Sequence, residues 1–184
     1  MQRFDNIFTA EELEVITSLI DSREGDDLEV RNDLGRVNFY NVILPERITN
    51  KIAKLVASVS DVKLTTSNSP LCVDYSAKYG KPNLPPHFDG DSNDLVVDFQ
   101  LTANTSWSLG VNKEVVPMED NSAIMFNANE NIHWRPHKEF QEGEFVRMMF
   151  FRFYDESNRK DYSHLRLSQN DPVFDDIRAF RDSL

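Results

Sequence analysis

At 184 residues and 40% apolar, the chain is long enough to bury one core without disulfides, and thirteen Phe and two Trp against six Gly exclude a tail, a linker or a collagen-like rod. A formal charge of −11 repels phosphate backbones and argues against nucleic acid as a partner. The lone Cys72 permits no intrachain disulfide, and no stretch is apolar enough for a signal peptide or a membrane span, so a cytoplasmic location without a membrane partner is expected.

In chain order, Thr9 to Glu12 reads as a capping box with Phe8 and Leu13 as its hydrophobic staple, opening a helix over about 10–22. Leu13, Ile16, Leu19 and Ile20 form one stripe on it, which should pack against something flat. A second helix is expected over about 46–59, with Pro45 at its start and Ile48, Ile52, Leu55 and Val56 turned inward. From Val62 the pattern changes to short runs rich in Val, Ile, Phe, Tyr and Thr, broken by Pro, Asn, Asp and Gly. Strands are expected at about 62–66, 71–79, 94–102, 106–111, 122–127 and 145–154, and Asp171 begins a short closing helix. Helices ahead of antiparallel strands predict a mainly β protein, a jelly-roll barrel with N-terminal helices packed on one sheet. The whole chain reads as a single domain: helical support over 1–61, barrel core over 62–155 and a C-terminal extension over 156–184.

The chemistry begins at Pro85-Pro86-His87-Phe88-Asp89-Gly90. In an extended strand residues two apart project to the same face, so His87 and Asp89 can share one ion. Imidazole and carboxylate suit a first-row divalent metal, and a second histidine from elsewhere would complete a two-His, one-carboxylate set. His137 and Glu139 make another His-x-acid pair, but the first follows a Pro-rich approach to a strand and has a later strand-edge histidine available to it. That later region runs from Pro117 through the apolar run to Phe126, then to His133-Trp134-Arg135-Pro136.

This ordered set, covering roughly Leu71 to Tyr154, resembles the Fe(II)/2-oxoglutarate-dependent dioxygenases, particularly the prolyl-hydroxylase-like branch. The resemblance implies a double-stranded β-helix (jelly-roll) barrel, iron ligands at His87, Asp89 and His133, and 2-oxoglutarate and O₂ as co-reactants. His133 is preferred to His137 because Pro136 follows it as a proline follows the family's distal histidine. The family also anchors the far carboxylate of 2-oxoglutarate with a basic residue on the strand after that histidine. The strand 145–154 offers Arg147 on one face and Arg152 on the other, and an arginine buried in so apolar a strand needs an anionic partner. Arg147 is preferred from the family's pattern of apolar residues and then an aromatic, matched at Phe153, with Arg152 kept open. Tyr75, with Tyr79 as its rival, stands where the family places a cosubstrate-binding tyrosine. Trp107 and Trp134 read as packing or as pocket walls.

No Gly-x-Ser-x-Gly elbow and no phosphate-cradling glycine loop is present, which disfavours a hydrolase or a nucleotide enzyme. Asp89 retains the carboxylate that halogenating relatives lack. The expected activity is hydroxylation of a C–H bond in a small molecule or a protein side chain, with release of succinate and CO₂. The alternative is a cupin-like metal or small-molecule binder without turnover.

Overall fold

In the computed structural model, which describes residues 1–60, 65–66, 68–90, 94–154 and 163–184, the capping box forms as expected. Thr9 Oγ1 accepts from Glu12 N at 3.3 Å, Glu12 Oε2 accepts from Thr9 N at 2.8 Å, and helix α1 runs Ala10–Asp21. Helix α2 runs Glu46–Ala57 and buries Ile48, Ile52 and Val56. Both helices lie on one face of a large antiparallel sheet, where Ile16, Ile20, Ile48 and Ile52 pack with Val97, Phe99, Leu101, Phe151 and Phe153. Burial of these stripes, rather than intrinsic propensity, holds twelve-residue helices in place.

That sheet is built from β1 (Gln2–Asp5), β2 (Leu28–Arg31), β3 (Arg36–Phe39), β4 (Thr65–Thr66), β5 (Leu71–Ser76), β6 (Leu95–Ala103), β9 (Ser122–Phe126) and β11 (Phe145–Tyr154). The strand order is β1-β9-β6-β11-β5-β3-β2, with β4 pairing the end of β11. A smaller sheet, β10 (His133–Trp134), β7 (Leu109–Val111) and β8 (Glu114–Val116), faces it, and the two enclose a second apolar cluster containing Val73, Val96, Leu109, Ile124, Phe126 and Val146. This is the jelly-roll predicted, with helices covering the outer face of one sheet. No helix among the described residues is long and apolar enough to cross a membrane.

The strands expected at 94–102, 122–127 and 145–154 appear within a residue of their predicted ends, whereas the one expected at 71–79 stops at Ser76 and turns into a short 3₁₀ segment, Ala77–Tyr79. The strand expected at 106–111 is only Leu109–Val111. Residues 62–64 of the strand expected at 62–66 lie outside the described residues, as does the junction at 155–162. Strands β1, β2, β3, β8 and β10 are additional to the sequence reading. The C-terminal part forms a 3₁₀ turn, Pro172–Phe174, and helix α3, Asp175–Asp182, docked through Phe174 and Ile177.

Candidate metal centre

His87 and His133 stand opposite each other in an antiparallel bridge, each backbone N–H donating to the other's carbonyl at 3.1 and 3.0 Å. Asp89, two residues on, is fixed by its N–H to Ala128 O at 3.1 Å and presents its side chain on the same side as His87. One ligand atom from each of the three lies within 4.8 Å of the others. Asp89 Oδ1 is 3.4 Å from His133 Nε2 and 3.9 Å from His87 Nε2.

The far nitrogens explain this aim. His87 Nδ1 is 2.9 Å from Pro85 O and His133 Nδ1 is 3.4 Å from Asn131 O. A carbonyl can only accept, so each Nδ1 carries the proton and each Nε2 lone pair is left for a metal. Burial, helped by the neighbouring His133, pushes the His87 pKa down to about 3 and keeps the ring neutral, as a ligand must be. At His133 burial also opposes charge, but the Asp89 carboxylate outweighs it and the net shift is upward; the same contact holds Asp89 well below the usual carboxylate range against its own desolvation. The contact that favours a proton on His133 is the one a divalent ion would make with Asp89 and His133 together. Two imidazoles and one carboxylate on one side of a cavity fit Fe(II) or a similar first-row ion.

The triad lines a cavity of about 340 Å³ whose other walls include Arg36, Leu71, Tyr75, Val96, Asp98, Phe150 and Arg152. Arg166, Leu167 and Gln169 close one side, held there by Arg166 Nε donating to Gly90 O at 3.2 Å and by Phe174 against Phe88 at 5.7 Å. The C-terminal extension thus forms part of the cavity wall.

Of the remaining predicted site residues, Tyr75 reaches the cavity, while Tyr79 packs on the helix-bearing side of the large sheet. Arg147 does not join them, and the preference for it is corrected here. It lies on the helix-bearing face of β11, where Nε and Nη2 donate to Asp74 at 2.7 and 2.8 Å and Nη1 to Asp21 at 2.8 Å. Asp74 is its direct cross-strand partner, so the anion that the sequence argument demanded comes from the protein. The opposite face of β11 carries Val146, Met148, Phe150 and Arg152 inward, and Arg152 is the arginine of this strand that lines the cavity. Trp107 and Trp134 are packing residues: Trp107 Nε1 donates to Pro136 O and Trp134 Nε1 to Asn112 O, both at 2.9 Å. His137 is exposed and pairs with Asp182 at 2.9 Å, away from the cavity.

Three cavity residues were not found from sequence. Arg36 lies on the β2–β3 hairpin, for which Asn32-Asp33-Leu34-Gly35 between two alternating runs was a readable turn signal. Asp98 sits inside an apolar strand, where a lone acid is the available cue. Arg166 offered none.

No protein-family model and no curated protein matches the chain in sequence. Solved structures match its fold. A 2OG-Fe(II) oxygenase family oxidoreductase from Burkholderia pseudomallei aligns over 86% of this chain and 84% of its own, at 12% identity and a TM-score of 0.60. HygX from Streptomyces hygroscopicus, with nickel and 2-oxoglutarate bound, aligns over 90% and 89% at 11% identity and a TM-score of 0.60. A Trichoplax adhaerens prolyl hydroxylase, in complex with a hypoxia inducible factor oxygen degradation domain peptide fragment, aligns over 91% and 87% at 11% identity and a TM-score of 0.59. At these identities the likeness shows the fold, which is that of the 2-oxoglutarate/Fe(II) oxygenases.

Proposed function

We propose that the protein is an Fe(II)- and 2-oxoglutarate-dependent oxygenase that hydroxylates a C–H bond of a small molecule or a protein side chain. The observation that carries this reading is the convergence of His87, Asp89 and His133 on one wall of a cavity, in a fold whose neighbours include one holding metal and 2-oxoglutarate. The three side chains would hold the iron; Pro85 O and Asn131 O hold the two rings in the ligating tautomer. When bound, iron with 2-oxoglutarate and O₂ supplies oxidative decarboxylation to succinate and CO₂, coupled to oxidation of the substrate. The chain's own share is placement and exclusion: Leu71, Val96 and Phe150 give the cavity an apolar wall, and Leu167 and Gln169 line it from the C-terminal extension. The HygX structures include one with hygromycin B, and the prolyl hydroxylase holds a peptide, so both substrate classes occur on this fold.

The test is an anaerobic titration of iron-loaded protein with 2-oxoglutarate, read by the visible metal-to-ligand charge-transfer band, followed by exposure to O₂ and assay of succinate. The expected result is a band and succinate in the parent and neither in His133→Ala. Absence of the band in folded, iron-loaded parent protein would discard the oxygenase in favour of a metal binder without turnover.

A further inference from the structure

The same cavity holds a second convergence of donors, formed by residues other than the triad. Arg36 projects from β3, which pairs with β5 in the large sheet, and its Nη1 donates to the Tyr75 hydroxyl at 2.7 Å. Tyr75 is fully buried, stacked edge-on against Trp107 at 5.0 Å. Arg36 Nε is buried and has no acceptor among the described residues. The Tyr75 hydroxyl, already accepting from Arg36, has its own proton to give and meets no acceptor there either. Leaving buried donors unmade is costly, and a fixed guanidinium beside a hydroxyl matches the two oxygens of a carboxylate.

The other cationic groups are differently placed. Arg147 is committed to Asp74 and Asp21 on the far side of the sheet. Arg135 is buried with Nη1 on Trp107 O and Nη2 on the Met148 sulfur, and it does not line the cavity. Arg166 donates to Gly90 O, and Arg152 is exposed towards the end of β11. Asp98, also on the cavity wall, repels a carboxylate from its own side and favours the Arg36 side.

We infer that Arg36 and Tyr75 form the subsite that takes the distal carboxylate of 2-oxoglutarate, an anchor supplied from β3 and β5 rather than by Arg152 of β11. This rests on the oxygenase reading and names the positioning residues within it. The contact adds one charge-assisted pair, which is worth roughly tenfold to a hundredfold in affinity.

The experiment compares anaerobic charge-transfer titrations of iron-loaded protein with 2-oxoglutarate and with 2-oxobutanoate, which has the same keto-acid head and no distal carboxylate. The parent is expected to bind 2-oxoglutarate about tenfold to a hundredfold more tightly. Arg36→Gln is expected to bring 2-oxoglutarate down to the 2-oxobutanoate value and leave the latter within about threefold, because the lost pair concerns only the distal group. Tyr75→Phe is expected to lower the preference less, and Arg147→Gln to preserve it; far-UV circular dichroism verifies folding, with Arg36→Lys as the variant to use where Arg36→Gln does not fold. A parent that fails to discriminate the two acids, or an Arg36 variant that keeps the parent's preference while Arg152→Gln loses it, overturns the assignment and leaves the oxygenase standing. No band with either acid in the parent removes both.

Discussion

At the scale of single residues, the cavity holds a group whose burial is felt by the whole fold. Asp98 is 2% exposed on β6, between Ile124 of β9 and Phe150 of β11, and desolvation pushes its pKa up to about 6 although His133 and Arg135 pull the other way. The folded-state value lies above the ordinary 3.8, so the stability tied to its proton is fully present below pH 3.8 and lost as pH rises through about 6. Asp98→Asn removes an ionisable group that is costly at neutral pH. The metal-free variant is expected to exceed the parent by about 1–3 kcal/mol at pH 7.5 in urea unfolding, with the gap closing near pH 4. An equal gap at both pH values would show that the effect is not ionisation. Arg147 and Arg152 teach the complementary lesson: five positions apart on one strand, they serve opposite faces, and only the pairing of β11 with β5 and β6 settles which face meets the cavity.

At the scale of elements, the short strand β10 carries His133 and depends on a contact that sequence patterning does not reveal. Trp134 is fully buried against the outer side of the small sheet, its ring over Gly110 of β7 and 6.0 Å from Phe180 of α3. A Cβ at Gly110 would lie 2.2 Å from the Trp134 ring, which is also tied through Nε1 to Asn112 O. Gly110→Ala must therefore displace the tryptophan or the strand, at a cost of about 1–3 kcal/mol. Because Trp134 adjoins His133, the variant is expected to show both a lowered midpoint in urea and weaker Fe(II) binding. A variant with parental stability and iron affinity would mean that β10 is not pinned through this contact. The helices are different: their stripes and the capping box are local patterns, and they appear where the sequence places them. The β2–β3 hairpin that delivers Arg36 has strands of only four residues each, too short for a strong alternating pattern, and its signal lies in the turn residues.

At the scale of the molecule, the large sheet separates two apolar clusters but also joins them, since neighbouring residues such as Cys72 and Val73, or Ile124 and Met125, face opposite sides. Loss of the sheet exposes both. The two longer helices, α1 and α2, which dominate far-UV circular dichroism, pack in one cluster, and Trp107 lies in the other. The two signals are expected to unfold in one transition. Saturating Fe(II) under anaerobic conditions should shift both midpoints together, by about 2.7 kcal/mol at one hundred times the dissociation constant, and His133→Ala should abolish the shift. Separate transitions, or a shift confined to fluorescence, would divide the chain into two independent units.

The sequence by itself determined the helices, the order of the principal strands and that His87 and Asp89 share a face, because these follow from spacing, 3.6 for a stripe and two for a strand; His133 entered through the family resemblance. Only the tertiary structure decided which arginine faces the cavity, that Asp74 already neutralises Arg147, and that Arg36 reaches Tyr75 from 39 residues away. The physical reason is that a strand's inward face is set by register against its neighbours, and a one-residue difference in pairing turns every side chain over. Partners distant in sequence meet only once that register exists.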